Sequence, residues 1–164
     1  MKLVVFEDSQ FDRFLPLAWV RGVFELKTGA TTLREKIERA AGTKATAVIA
    51  RHYLAACVRR RSGSAAVNDL RGCKGDEVLF VNSRVRASQW TPPAKDGAQW
   101  HGDQLAVWRT RDDVSGITDY DGLVAAASRT PKEEYTGKWF DYIWDVMLCN
   151  PEEIVADFKA AGRN

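Results

Sequence analysis

Glycine is nearly missing from the stretch of this chain where it would matter most. Between the apolar run Leu3-Val4-Val5-Phe6 and Gly22 there is none. Glycines let a backbone close on a phosphate, so a glycine-rich phosphate loop is excluded after the first apolar run. The three cysteines, Cys57, Cys73 and Cys149, form no CxxC pair. That excludes a disulfide framework and a zinc site, and it fits a reducing compartment, so a cytoplasmic location is expected. No apolar run reaches the ~18 residues of a membrane helix. Residues 3–6 are too short for a signal-peptide core and run straight into Glu7-Asp8, so no membrane partner is expected. Charge of one sign is scarce: 24 Lys and Arg against 22 Asp and Glu leave +2, too little to imply nucleic acid as a partner. No internal repeat or low-complexity tract is visible.

What is present is an ordinary globular composition, 45% hydrophobic and 28% charged over 164 residues, which suits one α/β domain with a real core. Residues 3–6 read as a strand buried on both faces. Residues 7–31 read as one long loop, and so long a loop inside a compact domain is usually functional. Thr32-Leu33-Arg34-Glu35 is a capping box; Leu33, Ile37, Ala40 and Ala41 then share a face, and Gly42 ends the helix. Residues 46–50, 78–81 and 105–109 read as strands, with a brief one at 65–67. Residues 53–60 form a short helix with Leu54, Cys57 and Val58 inward, and 119–128 another. Residues 91–103, rich in turn formers, read as an excursion from the sheet. Asn150, Pro151 and Glu153 signal a final helix on which Ile154, Val155, Phe158 and Ala161 pack, closed by Gly162. That helix stop reads as a domain boundary, with residues 1–164 a single domain and the expected N-terminal part of a longer protein. Strands alternating with helices point to a mainly parallel sheet.

From the loop onward the sequence resembles the sugar-nucleotide pyrophosphorylases. That family opens with a strand and a signature L-A-A-G-x-G-T-R-L-x-P-L, then a Lys after a Pro, then a Gly before a helix. Here V-F-E-D-S-Q-F-D-R-F-L-P-L keeps Arg13 and Pro16-Leu17 at the matching places. V-R-G-V-F-E-L follows with Arg21 matching an arginine, and Gly29 precedes the helix. With P-L-A-W-V-R, F-E-L-K-T-G, T-L-R-E-K, L-F-V-N-S-R and F-D-Y-I-W-D-V-M-L-C-N-P-E-E-I-V-A-D-F, nearly the whole chain is similar to the sugar-nucleotidyltransferase-like N-terminal domain. That domain usually precedes a left-handed β-helix acyltransferase. No hexapeptide repeat of such an acyltransferase is visible in these residues.

The resemblance implies a three-layer, Rossmann-like α/β fold with a mixed, mainly parallel sheet of the nucleotide-diphospho-sugar transferase type. It implies transfer of a nucleotidyl group from a nucleoside triphosphate to a sugar-1-phosphate, with Mg²⁺ held mostly by the phosphates. The catalytic motif is degenerate. Ser9 and Phe11 replace the family glycines, the family lysine falls at Val23, and the metal-binding aspartate falls near Asn82, Ser83 or Arg84. On this reading Arg21 and Lys27 are the catalytic cations. Arg13, Pro16, Glu25, Asn68, Asn82, Arg84 and Trp144 contact substrate, and no side chain is assigned to metal. Two functions stay open: a sugar-1-phosphate nucleotidyltransferase, and a non-catalytic nucleotide-sugar-binding or regulatory domain of a fused acyltransferase. The implied partners are a nucleoside triphosphate or nucleotide sugar, a sugar-1-phosphate, and a fused acyltransferase domain or a second copy of the chain.

Each of these residues also has a plainer reading. The arginines pair across the loop with Glu7, Asp8, Asp12 and Glu25. Asn68 and Asn82 close turns, residues 139–144 pack as aromatics, Asp145 caps a turn, and Arg59-Arg60-Arg61 complements a helix dipole. Cys57 is expected in the core and Cys73 at the surface. His52 and His101 lie far apart and show no metal-ligand pattern.

Overall fold

The computed structural model describes residues 1–162. The first apolar run forms β1 (Lys2–Phe6), an interior strand of a seven-stranded sheet. Parallel to it lie β4 (Ala45–Ile49) on one side and β6 (Val78–Asn82) on the other. Beyond β4 comes the two-residue β5 (Ala66–Val67), also parallel. Beyond β6 the order continues through β8 (Gln104–Thr110), β7 (Gly97–His101) and β9 (Lys132–Glu134). β8 runs antiparallel to both β6 and β7, and β9 runs parallel to β7. The sheet is mixed and mostly parallel, as expected. Leu3, Val4, Val5 and Phe6 are fully buried, which is why the run is continuous rather than alternating.

Helices cover both faces. On one face α1 (Leu33–Ala41) and α2 (Ala55–Arg61) send Ile37 and Val58 against Leu3, Val5 and Val81. On the other, α3 (Tyr120–Ala127) sends Leu123 and Ala127 against Phe6, Phe80 and Trp108. These are the three expected layers. The Thr32 capping box is formed: the Thr32 hydroxyl accepts from Glu35 N–H at 3.2 Å, and Glu35 Oε2 accepts from Thr32 N–H at 2.7 Å. Gly42 closes α1 with φ of 67°. Asp119 caps α3 by accepting from Gly122 N–H.

Several expectations need correction. Residues 91–103 are not wholly an excursion, because Gly97–His101 joins the main sheet with Ala98 and Trp100 inward. Its alternation was masked by the prolines and glycines on either side. Nor is the long opening loop featureless. Two 3₁₀ turns, Phe11–Phe14 and Val23–Glu25, lead into a hairpin of β2 (Lys27–Thr28) and β3 (Thr31–Thr32). β9 was not anticipated: its Lys-Glu-Glu residues are all exposed at the sheet edge, where charge discourages edge-to-edge pairing. Cys57 is exposed and Cys73 buried, the reverse of the expectation. Burial pushes the Cys73 thiol up from its ordinary pKa.

The chain closes with α4 (Ile143–Leu148) and α5 (Asn150–Ala160). Here too the expected packing is reversed. Ile154, Val155 and Phe158 are about half exposed, while Glu153 and Asp157 are buried. Asn150 and Glu153 form no capping box. Asn150 Oδ1 accepts from Gly29 N–H at 2.6 Å, and Glu153 accepts from Arg86 Nε at 2.8 Å and from Ser88. Lys36, buried on α1, reaches Glu153 at 3.1 Å and Asp157 at 2.7 Å. Asp157 also accepts from Ala30 N–H and pairs with Arg39. The hairpin lies so close that a Cβ on Gly29, which has φ of 67°, would sit 2.8 Å from the Glu153 backbone.

Burial pushes the Asp157 carboxyl up, but bonds from Lys36, Arg39 and Ala30 outweigh it and hold it well below the usual range. Glu153 is likewise held low, by Ser88, Arg86 and Lys36 against burial. A carboxylate with a depressed folded-state pKa stabilises fully above its ordinary pKa, and that contribution is lost as pH falls through the folded-state value. The melting temperature should therefore be flat near neutrality and fall below about pH 4, with a shallower fall in Asp157→Asn. Asp157→Ala strands the buried Lys36 charge and should cost about 3–5 kcal/mol in urea unfolding.

Candidate functional site

In this sheet the chain runs from β1 out to β4 and β5, then returns to the other side of β1 at β6. The reversal puts a switch point beyond the carboxyl ends of β1 and β6, where open α/β sheets hold ligands. The residues that emerge there are Glu7 and Asp8 after β1, and Ser83 and Arg84 after Asn82. They fill the crevice with their own charges. Arg84 is 1% exposed. Its Nη1 donates to Asp8 Oδ2 and Gln10 Oε1, both at 3.0 Å, and its Nε donates to the Phe140 carbonyl at 2.8 Å. Its Nη2 reaches Asp141 Oδ1 at 3.2 Å. The Trp139 ring covers the guanidinium at 4.7 Å. Asn82 donates to the same Asp8 oxygen and to the Leu105 carbonyl, and its Oδ1 accepts from Arg84 N–H.

Glu7 is closed by a second arginine. Arg51, just beyond β4, gives Glu7 Oε1 its backbone N–H at 2.8 Å and its Nε at 2.9 Å. Glu7 Oε2 accepts from Val23 N–H at 3.1 Å. Arg51 Nη2 also donates to the carbonyls of Ala18 and Arg21, at 2.7 and 2.9 Å. This clamp draws the opening loop over the ends of β1 and β4. The plainer reading of the acids as ion-pair partners holds for Glu7 and Asp8, with Arg51 and Arg84 as the cations.

The other residues named from the sequence are scattered. Asn68, at φ of 55°, bridges the Ala50 N–H and carbonyl at 2.8 and 2.9 Å. Glu25 holds Arg61 at 2.7 and 2.9 Å and accepts from Gly22 N–H. Arg21 and Glu25 line a cavity of about 350 Å³ beside Phe24, Arg34 and Arg61, on the side of the loop toward α1. Lys27 is exposed on the hairpin. Arg13 lies 3.7 Å from Asp141 and over the Tyr142 ring. Pro16 is exposed and follows a cis peptide bond. Trp144 is exposed and stacked on Tyr142 at 4.4 Å. Asp145 caps α4 by accepting from the Asp141 and Tyr142 N–H groups.

What the fold leaves open is a groove of about 260 Å³ over the ends of β1 and β4. Ser9, Phe11, Arg51, His52, Asp119 and Tyr120 line it, with Glu7 and Asp8 at its base. Burial, with the Asp8 charge beside it, pushes the Tyr120 phenol up, so it stays protonated as a donor. A second cavity of about 440 Å³ shares His52 and adds Arg59, Asn68, Arg71 and Ser115 over the end of β5. Apart from Asn68, none of these residues was among the site candidates. Arg51 carried one signal, its place directly after a strand. Tyr120 and Ser115 carried none, because they arrive from a segment more than forty residues further along the chain.

No curated protein matches this chain. A family model described as sugar nucleotidyl transferase matches residues 3–164, a span that contains all of β1 but Lys2, the opening loop, both arginine clamps and α5. The resemblance carried by the scattered motifs is therefore a resemblance of the whole domain, and the chain belongs to the sugar nucleotidyl transferase family.

Proposed function

We propose that this domain binds a nucleotide sugar in the groove over β1 and β4 and does not itself transfer a nucleotidyl group. The family supports nucleotide and sugar-phosphate ligands. The observation that carries the proposal is the closure of the switch point by the Asp8–Arg84 and Glu7–Arg51 pairs. Nucleotidyl transfer builds negative charge on the transferred phosphorus and on the leaving pyrophosphate, and needs uncommitted donors or cations there. Both guanidiniums nearest that point are already neutralised. Magnesium does not fit as a protein-held ion: among the described residues no group of three or more His, Cys, Asp or Glu could hold a metal, and Glu7 and Asp8 are spent on arginines.

The groove does suit a nucleoside. Phe11, with one face under the Arg51 guanidinium at 4.0 Å, and Tyr120, with one face on Phe6, border it with aromatic carbon against which a base could pack, while Ser9 and Asp119 can bond to hydroxyl or amino groups. His52 and the exposed Arg59 face the adjoining cavity, where a diphosphate would meet a fork-shaped donor. A second reading, active transfer with Arg21 and Lys27 as the phosphate-holding cations, is favoured by the family match across residues 3–164.

Calorimetry against a panel of nucleoside diphosphate sugars should show binding of at least one. Nucleoside triphosphate, sugar-1-phosphate and Mg²⁺ together should release no pyrophosphate; release from any pair would establish the second reading. Tyr120→Ala and the double change of His52 and Arg59 to Ala should each weaken nucleotide-sugar binding by about tenfold or more. Arg21→Ala, in the separate cavity, should leave affinity unchanged, and a loss there would move the phosphates to the cavity beside Phe24. Arg84→Met leaves Asp8 buried without its cation and should cost about 3–5 kcal/mol of stability.

A further inference from the structure

The outward face of α4 and α5 is apolar along its whole length. Trp144, Met147, Leu148, Ile154, Val155 and Phe158 are all half exposed or more, Leu148 reaching 76%. Pro151, also exposed, lies between them. The positions 144, 147, 148, 151, 154, 155 and 158 recur at three- and four-residue steps, the spacing of one helical stripe. The helices break at Cys149, where the Thr28 hydroxyl donates to the Val146 carbonyl and Pro151 brings no N–H, but the spacing continues through the break. The inversion of α5 explains the stripe. Its charged side is consumed by Lys36, Arg39, Arg86 and Ser88, so its apolar side is left outside. Such a stripe amounts to roughly 600 Å² of apolar surface, the upper end for a monomer, and its α5 part, Pro151, Ile154, Val155 and Phe158, is what a pairing of α5 with a partner helix would cover.

We infer that this face pairs with a second copy of the chain, α5 against α5, antiparallel about a twofold axis. The charges beside the stripe select that occupant. Glu152 and Lys159 are seven residues apart, two helical turns, and so lie on one flank of it. In an antiparallel pair, like flanks face each other. With the axis between positions 155 and 156, Glu152 of one copy stands opposite Lys159 of the other, and the symmetry repeats the contact. Glu152 keeps an oxygen free for this, since Arg86 holds only Oε2. A twofold interface must be complementary to itself, and this face is so in both charge and apolarity. The inference is independent of the nucleotide-sugar proposal.

Sedimentation equilibrium of the full chain should give a dimer in the micromolar range. Phe158→Asp and Ile154→Asp each put a carboxylate into the seam and should weaken association by at least about 100-fold. Far-UV circular dichroism and melting of the same samples show whether they remain folded, as expected at half-exposed positions; Val155→Ser replaces a variant that does not. Lys159→Glu and Glu152→Lys each set like charges opposite one another and should weaken the dimer, while an equimolar mixture of the two should re-form a mixed dimer. A monomeric wild-type chain, a dimer indifferent to the seam variants, or a mixture that does not re-associate would overturn the proposal.

Discussion

A guanidinium buried in the middle of the sheet's carboxyl edge sets most of what this structure can do. The buried Arg84 guanidinium must be surrounded with acceptors, or the chain remains unfolded. It gathers Asp8 and Gln10 from the loop after β1, and the carbonyl of Phe140 and the carboxylate of Asp141 from the segment before α4. Those partners lie 56 to 76 residues away in sequence. One side chain therefore joins the loop after β1, the end of β6 and the C-terminal segment, and it fills the switch point where open α/β sheets hold ligands. The fold is kept, and the crevice at the switch point is filled by the protein's own charges.

The same arrangement recurs at two other places. Arg51 ties Glu7 to the opening loop through three carboxylate contacts and two carbonyls. Lys36 ties α5 to α1 through Glu153 and Asp157. In each case an acid that an aqueous surface would solvate is drawn inward by one cation, and the chain around it is fixed by what remains of that cation's bonding capacity. The consequences differ with location. At the sheet edge the pairs close a crevice; at α5 the network turns a helix inside out and leaves its apolar side facing solvent.

How much was legible follows from the range of the interactions. The buried run at 3–6, the Thr32–Glu35 box and Gly42, the helix at 119–128 and the strands at β4, β6 and β8 are local patterns, and each stands where the sequence put it. β7 was missed because Pro92, Pro93 and Gly97 spoke for a turn more loudly than the short alternation Ala-Gln-Trp-His spoke for a strand. Glu7 and Asp8 were legible as ion-pair partners and Arg84 as one of the cations, but Arg51 was not, because ion pairing across 44 residues has no periodicity to read. The α5 pattern misled for a related reason. Apolar residues at helical spacing are normally core, and only the distant Lys36 and Arg86 reverse the choice.

The sequence by itself determined the class of fold, the family, and the lack of any glycine between Phe6 and Gly22. Those are properties of residue type and near-neighbour order. Only the tertiary structure decided which charges neutralise one another, that Asn82 and Arg84 are interior residues, that the open groove lies over β1 and β4, and which side of α5 meets solvent. Desolvating a charge costs several kcal/mol unless a partner is present, and whether a partner is present depends on which distant segments the sheet brings together.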